Sequence, residues 1–301
     1  MTRGLLILLV NALWLGLYPI CASATQAVSG QGFVADYYPA KDHHARYGVL
    51  VLGGAEGGIP TELAAAIAAK GYPVLALAYF RATGLPPELE NIPLEYFDKP
   101  KEWLLAHAKA ANAGLADGLI IVGWSKGAEL ALLLAANDPH VKAVVAISPS
   151  DVVWPGILKD WRKVPGSSWT RQGKPLPYVP FVHGVEVRSL LDLYTHSLAQ
   201  TDAVARARLP VENIAAPVLL LSGSKDQVWP ANAMADADCQ RMIDRHSKGV
   251  CIHRNYSDVG HLLDERFLPS AGDASKPMHP SQAVFFGFLD AVEHGKVVPI
   301  R

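Results

Sequence analysis

The chain has 301 residues, of which 50% are hydrophobic and 18% are charged, and its 27 basic side chains balance 28 acidic ones. This length fits one large α/β domain or two smaller ones. A formal net charge of −1 carries no electrostatic footprint for nucleic acid or anionic lipid, so the expected partner is a small molecule and not a nucleic acid.

The first predicted element is a signal peptide over residues 1–24. Arg3 precedes an apolar run at residues 5–17, and small residues at 22–24 supply a cleavage site. The run falls short of the roughly 20 apolar residues of a spanning helix, which favours cleavage over an uncleaved membrane anchor. We therefore expect an exported protein, periplasmic or extracellular, with no stable membrane span after cleavage and with residues 25–301 as the mature hydrolase domain.

Beyond residue 24, short runs rich in Val, Ile and Leu alternate with segments of helical periodicity, which is typical of a parallel sheet covered on both faces. The predicted strands are 47–52, 74–78, 119–122, 142–147, 217–221 and 250–256, and the predicted helices are 61–70, 98–113, 125–136, 231–245 and 281–294. This order predicts the α/β class, with a mostly parallel sheet and helices on both faces.

A long interruption separates the fourth predicted strand from the fifth. Residues 149–216 contain clustered Pro and Gly and the tryptophans Trp154, Trp161 and Trp169, and they are too long for an ordinary loop. One interpretation is a lid inserted at the carboxyl edge of the sheet, which would place aromatic side chains over the site. The other is a surface excursion whose tryptophans pack only a small core of their own.

Residues 123–127 read Gly-Trp-Ser-Lys-Gly at a predicted strand-to-helix junction. In Gly-x-Ser-x-Gly the serine, here Ser125, occupies a strained tight turn, and the small flanking residues avoid clashes with neighbouring backbone. A serine that merely caps a helix is the alternative, but it does not account for the strand that precedes the turn. Because a serine hydroxyl is a poor nucleophile near neutral pH, the hypothesis requires a base and an acid that orients it.

The acid and the base are expected after late strands, in the order serine, acid, histidine. Asp226 follows the fifth predicted strand directly, and His261 follows the sixth. Together with Ser125 they form the predicted catalytic triad. Asp258 is the alternative acid, but it lies only three residues before His261 and better fits a role in shaping that turn.

The oxyanion that forms on attack needs two backbone N–H donors, one from the residue after the nucleophile and one from a loop after an early strand. Lys126 is the predicted first donor, and Ala55, within the glycine-rich residues 53–58, is the predicted second. Trp124 and Trp169 are candidates for the substrate pocket. The glycine spacing matches neither a dinucleotide-binding loop nor a P-loop, and no Cys/His cluster has zinc-ligand spacing, so no cofactor or metal is expected.

Two cysteines remain after signal cleavage, because Cys21 leaves with the signal. Cys239 and Cys251 are an even pair in a protein expected in an oxidising compartment, which favours a disulfide between the predicted helix at 231–245 and the strand that follows it. Two separate buried thiols are the alternative.

These motifs resemble the C-terminal catalytic domain of the acyl-CoA thioesterase and bile acid-CoA:amino acid N-acyltransferase family, within the dienelactone-hydrolase-like α/β-hydrolases. The resemblance covers roughly residues 47–289, and its most distinctive parts are residues 123–129, 167–177 and 222–230. It implies the α/β-hydrolase fold with an inserted lid, Ser125 as nucleophile, Asp226 as acid and His261 as base. Some eukaryotic members carry a cysteine nucleophile, so the serine here implies hydrolysis rather than transfer to an amine.

The sequence thus predicts an exported serine hydrolase that cleaves a small-molecule acyl ester or thioester through an acyl-enzyme intermediate, similar to an acyl-CoA thioesterase. An acyltransferase that moves the acyl group to an amine or alcohol would use the same intermediate and is the enzymatic alternative. A non-catalytic protein that keeps the hydrolase fold and binds a ligand under residues 149–216 is the alternative from another class.

Overall fold

The computed structural model describes residues 25–40, 45–111, 117–160, 162–263 and 279–297. The predicted signal peptide at residues 1–24 lies outside the described residues, and so does Trp161. Within the described ranges, no helix combines the length and the apolar character that a bilayer-crossing segment needs.

An eight-stranded sheet organises the described part of the chain. In spatial order its strands are β1 (Gln26–Val28), β2 (Val34–Tyr38), β4 (Val74–Ala78), β3 (Tyr47–Leu52), β6 (Gly118–Trp124), β7 (Val141–Ile147), β10 (Val218–Gly223) and β11 (Cys251–Tyr256). The strands from β4 to β11 are parallel to one another, whereas β1 and β2 pair antiparallel. The predicted mostly parallel sheet is confirmed. The sequence pattern does not predict β1 and β2, because they are short and half-exposed.

The helices are α1 (Thr61–Ala68), α2 (Asp98–Ala111), α3 (Lys126–Ala135), α4 (Leu190–Ser197), α5 (Thr201–Ala207), α6 (Ala231–Asp244) and α7 (Pro280–Glu293). The five predicted helices correspond to α1, α2, α3, α6 and α7. Alternate residues of the central strands enter two different cores, because successive side chains of a strand point to opposite faces. Leu50 and Leu52 pack in the core that contains α2, α3 and α6, whereas Val49 and Val51 pack in the core that contains α1 and α7. Helices therefore cover both faces, as predicted.

Residues 149–216 form a structured insertion that includes α4 and α5. A small second sheet of β5 (Ile92–Pro93), β8 (Trp169–Arg171) and β9 (Lys174–Pro175) joins the insertion to the segment before α2. Trp154 and Tyr194 belong to a third apolar core, which also takes in Trp229. The insertion thus has a core of its own, and it is also tied to the main domain on two sides.

A disulfide joins Cys239 of α6 to Cys251 at the start of β11, with 5.2 Å between the two Cα atoms. Helix α6 comes shortly after Asp226 in the chain, and β11 leads to His261. The bond therefore joins the helix that follows the predicted acid to the strand that precedes the predicted base.

Candidate active site

Ser125 occupies a strained turn between β6 and α3, with φ 53° and ψ −119°, and its side chain makes no capping hydrogen bond to the helix. A non-glycine residue in this region is uncommon and is typical of functional sites. At Gly127 an added Cβ would lie 2.4 Å from the carbonyl oxygens of Leu52 and Gly53. Helix α3 therefore approaches β3 backbone to backbone, and the Gly-x-Ser-x-Gly pattern has a steric reason.

Asp226 and His261 are joined directly, since Nδ1 of His261 lies 2.7 Å from Oδ2 of Asp226. The other carboxylate oxygen accepts the backbone N–H groups of Val228 at 2.8 Å and Trp229 at 3.2 Å. A carboxylate held in this way fixes the imidazole with its proton on Nδ1 and leaves Nε2 as the basic nitrogen. Among the described residues, Nε2 of His261 is buried without a hydrogen-bond partner.

The alternative acid, Asp258, points elsewhere. Its carboxylate is largely exposed and lies 3.5 Å from Nε2 of His279. The carboxylate that contacts the imidazole of His261 is that of Asp226.

Ser125 and His261 line one cavity of about 900 Å³. Its remaining lining is mainly apolar and comes largely from the insertion, including Ile157, Phe181, Leu193 and Tyr194. The structure thus joins Asp226 and His261 by a hydrogen bond. It also places Ser125 and His261 in the wall of the same cavity. The described residues contain no hydrogen bond between Ser125 and Nε2 of His261, and in ligand-free hydrolases this bond is often long.

Both predicted oxyanion donors also line the cavity. Lys126 is the first residue of α3, and the first N–H groups of a helix have no acceptor within it and carry the positive end of its dipole. Ala55 lies in the glycine-rich loop after β3. Its neighbour Glu56, which the sequence analysis did not single out, accepts the backbone N–H of Gly54 at 2.8 Å.

Glu56 also links the glycine-rich loop to the nucleophile turn. Burial raises the pKa of its carboxyl, while hydrogen bonds from its own and the Gly54 backbone and from the indole of Trp124 oppose the rise. Trp124 lines the cavity, as the sequence predicts for a pocket residue. A carboxylate set among glycines was the only sequence signal for Glu56.

The side chain of Lys126 is fully buried and forms an ion pair with Glu129, 2.6 Å between Nζ and Oε2. Burial lowers the pKa of the Lys126 ammonium and raises that of the Glu129 carboxyl, and the contact between them opposes both shifts. The indole N–H of Trp169 donates to the other oxygen of Glu129 at 2.6 Å. Trp169 is fully buried and does not line the cavity, so the structure assigns it to anchoring the insertion on α3 rather than to the predicted substrate pocket.

Trp229, and not the predicted Trp169, lines the cavity. Its ring stands perpendicular to the imidazole of His261 at 4.8 Å between ring centroids, and its indole N–H donates to the carbonyl of Pro149 at 3.0 Å. Its position three residues after Asp226 is the one signal that would have suggested it.

The loop that carries His261 is held by two neighbouring strand ends. Ser148, which follows β7 with φ 50°, donates its hydroxyl to the carbonyl oxygen of His261. At Gly223, the last residue of β10, an added Cβ would lie 2.4 Å from the carbonyl oxygens of Val259 and Gly260. The acid and base loops therefore pack backbone against backbone, which only glycine permits at that position.

A second set of serine, histidine and aspartate side chains lies on β10, β11 and α6. The hydroxyl of Ser222 on β10 is 2.7 Å from Nε2 of His253 on β11, and Nδ1 of His253 is 2.7 Å from Asp236 of α6. The same hydroxyl is 3.0 Å from Oδ1 of Asn255. Ser222 is fully buried and is not part of the cavity wall, so this set links the sheet to α6.

A family model described as "BAAT / Acyl-CoA thioester hydrolase C terminal" matches residues 92–294. Acyl-coenzyme A thioesterase 6 of Homo sapiens is 27% identical over 251 residues, which cover 80% of this chain and 54% of the relative. Acyl-coenzyme A amino acid N-acyltransferase 2 of Mus musculus is 28% identical over 249 residues, with coverage of 81% and 55%. The chain spans about half the length of the curated relatives it matches.

Solved structures with low sequence identity share the fold. Esterase B of Lactobacillus rhamnosis superposes with a TM-score of 0.54 at 14% identity, covering 91% of this chain and 87% of that one. A dienelactone hydrolase-like promiscuous phosphotriesterase from metagenomic libraries gives a TM-score of 0.51 at 13% identity, covering 90% and 98%. These likenesses confirm the α/β-hydrolase architecture predicted from the order of strands and helices.

Proposed function

The chain belongs to the BAAT / acyl-CoA thioester hydrolase C-terminal family, and from that premise we propose that it is a serine hydrolase that cleaves an acyl ester or thioester. One observation carries the proposal. A serine held in a strained turn and a histidine bonded to a buried aspartate line the same apolar cavity, which is the arrangement that acyl transfer requires.

In the proposed reaction the hydroxyl of Ser125 attacks the acyl carbon and passes its proton to Nε2 of His261. Asp226 stabilises the imidazolium that forms. The N–H groups of Lys126 and Ala55 stabilise the tetrahedral oxyanion. The imidazolium then gives its proton to the leaving alcohol or thiol, and the acyl group stays on the serine. Water activated by the same imidazole attacks the acyl-enzyme and releases the acid.

The substrate class follows from the cavity wall. Side chains such as Ile157, Phe181 and Leu193 suit an acyl chain, because an apolar chain gains free energy when it leaves water for such a surface. The volume of about 900 Å³ is at the upper end of ordinary ligand pockets. A long acyl group fits this space better than an acetyl group.

Two further features belong to the same proposal. Residues 149–216 act as a lid, since they supply much of the cavity wall. Residues 1–24 act as a cleaved export signal, and the disulfide between Cys239 and Cys251 supports an oxidising compartment. Amino-terminal sequencing of the protein recovered outside the cytoplasm should begin at residue 25, and an intact residue 1 there would contradict the export part.

An acyltransferase is the second candidate, because the matched relatives include an amino acid N-acyltransferase with nearly the same identity as the thioesterase. It shares every step up to the acyl-enzyme and differs in what attacks it. Turnover with and without an excess of amino acids, followed by mass spectrometry of the products, separates the two. Free acid as the main product in both supports hydrolysis, and an N-acyl amino acid as the main product supports transfer.

The central experiment compares residues 25–301 with their Ser125→Ala variant on p-nitrophenyl esters of graded chain length and on acyl-CoAs of the same lengths. We expect turnover by the parent protein, with a preference for longer chains, and none above background by the variant. Equal rates for the two proteins would contradict the serine mechanism. If neither protein turns over any substrate while both bind the acyl compounds, the non-catalytic ligand-binding alternative is the correct one.

A further inference from the structure

The carboxylate of Glu56 folds back onto the glycine-rich loop after β3. Its Oε1 accepts the backbone N–H of Gly54 at 2.8 Å, and the carboxylate also accepts the N–H of Glu56 itself and the indole N–H of Trp124. An added Cβ at Gly54 would lie 2.9 Å from Oε2 of Glu56 and 3.0 Å from Nε1 of Trp124. One side chain thus binds the N–H groups of the residues before and after Ala55.

The other N–H groups of residues 54–58 also have acceptors, with one exception. Gly57 donates to the carbonyl oxygen of Gly54 at 3.4 Å, and Gly58 donates to the neighbouring loop after β4 at 2.9 Å. Within the described ranges of the chain, the N–H of Ala55 has no acceptor. Ala55 lines the cavity together with the predicted nucleophile, so this stretch keeps its unpaired donor in the wall of the reaction cavity.

Both peptide groups that flank Ala55 are held at one end. The peptide between Gly54 and Ala55 has its carbonyl oxygen bonded to Gly57, and the N–H of a trans peptide points opposite to its carbonyl. The peptide between Ala55 and Glu56 has its N–H on the carboxylate and its carbonyl oxygen 3.2 Å from Nη1 of Arg81. Arg81 also donates to the carbonyl of Glu56 at 3.3 Å. Two side chains, those of Glu56 and Arg81, therefore fix the direction of the Ala55 N–H.

We propose that Glu56 is a positioning residue of the oxyanion hole, whose carboxylate holds the glycine-rich loop so that the N–H of Ala55 points at the developing oxyanion. A donor that is already in place needs no rearrangement when the negative charge develops, which is the basis of its effect on rate. Glu56 acts through Ala55 and takes no proton in the reaction. The inference rests on the proposed function, because it assigns a role within the same acyl-transfer step.

Direct proton transfer by Glu56 is the alternative, since this residue is exposed and lines the cavity. Burial of its carboxyl raises the pKa, which suits a proton carrier. The carboxylate, however, uses three of its roughly four acceptor sites on N–H groups, whereas Nε2 of His261 has no partner among the described residues. The contacts therefore favour a hold on the loop over a second base.

The first test measures kcat and KM of residues 25–301 and of three variants, Glu56→Ala, Glu56→Gln and Glu62→Ala, on one p-nitrophenyl ester. In Glu56→Ala we expect kcat to fall on the order of 10- to 100-fold with KM within about threefold, since the donor acts on the transition state. In Glu56→Gln the amide oxygen still accepts the Gly54 N–H and should restore most of the rate. Glu62→Ala is the matched control, because Glu62 is an exposed carboxylate on α1 outside the cavity wall, and it should behave like the parent. Parental kcat in Glu56→Ala overturns the inference, and equal losses in both Glu56 variants overturn it in favour of proton transfer.

A second measurement reports on the oxyanion hole itself. Sulfur accepts hydrogen bonds more weakly than oxygen, so a thiono ester, with sulfur in place of the carbonyl oxygen, gains less from the donors than the ordinary ester. The parent should prefer the oxygen ester, and Glu56→Ala should lower that preference along with kcat. Arg81→Met removes the other hold on the loop at an exposed position and should shift the preference in the same direction. A parental preference in Glu56→Ala despite a lower kcat overturns the inference.

Ser125→Ala separates this inference from the function on which it rests. Loss of all turnover in Ser125→Ala together with parental kcat in Glu56→Ala contradicts the positioning role alone. Equal turnover by the parent and Ser125→Ala, or no turnover by either, contradicts the proposed function and the positioning role with it.

Discussion

The described residues hold a second serine, histidine and aspartate set beside the predicted triad. Ser125 and His261 of the triad line the cavity of about 900 Å³, whereas Ser222 and His253 of the second set do not. In both sets Nδ1 of the histidine is 2.7 Å from an aspartate oxygen. Ser222 even lies within 2.7 Å of its histidine, whereas no hydrogen bond joins Ser125 to His261 among the described residues. Judged by hydrogen bonds alone, the buried set would be the better triad.

The difference lies in where each serine sits along its strand. Ser222 is inside β10, fully buried, with its backbone in a parallel ladder. Ser125 follows the last residue of β6, has a positive φ, and precedes the N-terminus of α3. Of the two serines, a substrate carbonyl can reach Ser125 and not the buried Ser222. Ser125 also precedes the first N–H groups of α3, which have no acceptor within the helix and can bind an oxyanion. Access and unpaired donors, more than a short contact to histidine, distinguish a nucleophile from a structural serine.

The largest expected effect concerns covalent labelling. A fluorophosphonate should modify Ser125 and leave Ser222 untouched, because the reagent needs an accessible hydroxyl with a free base beside it. Mass spectrometry of peptides from labelled protein should place the adduct on the peptide with Ser125, and Ser125→Ala should abolish labelling. An adduct on Ser222 would reverse the assignment of the two sets.

The second prediction compares the two aspartates. Asp226→Asn should lower kcat by on the order of 10³ to 10⁴, because the amide favours the wrong histidine tautomer. Asp236→Asn should change kcat by less than about threefold, since that carboxylate is 68% exposed and its histidine is outside the cavity. The kcat of both variants on one p-nitrophenyl ester tests this difference. Equal losses of kcat in the two variants would show that the two sets are coupled.

Much of this comparison was accessible from sequence, because parallel strands place their carboxyl ends at one edge of the sheet. Ser125 and Asp226 each follow an apolar run, and His261 follows the more polar predicted strand at 250–256, so their common edge of the sheet could be predicted without any contact. Buried strands and amphipathic helices carry strong patterns, and the predicted bounds of β3 and β4 match the structure.

What could not be predicted depends on contacts within the insertion and across strands. Trp169 and Trp229 are both tryptophans near motif residues, and only packing decides that the first binds Glu129 and the second stands against His261. The Ser222 and His253 contact is a register pairing between neighbours on β10 and β11, which a single sequence does not reveal. The half-exposed strand β2 was not predicted because its five residues give only a weak pattern of alternating hydrophobicity.

The third prediction tests how Ser148 anchors the base of the cavity set. Ser148→Ala removes the hydroxyl that donates to the carbonyl oxygen of His261 and should lower kcat about tenfold with little change in KM. Ser148→Thr keeps the hydroxyl and should recover part of the activity. A melting temperature that falls while kcat stays at the parental value would mean that Ser148 stabilises the fold without positioning the imidazole.

The smallest effect on activity, and the clearest on stability, is expected for Ser222→Ala. The change leaves His253 and Asn255 without the hydroxyl that both contact, and buried polar groups that lose a partner cost about 1 to 3 kcal/mol. Urea unfolding should show this loss, while kcat/KM should stay within about threefold of the parent because no reacting group is touched. Ser224→Ala is the matched control, since Ser224 is exposed and its contact with Asn255 can be replaced by water. A collapse of kcat/KM in Ser222→Ala without unfolding would place the buried set in the reaction after all, because a purely structural link between β10 and α6 has no route to the chemistry except through stability.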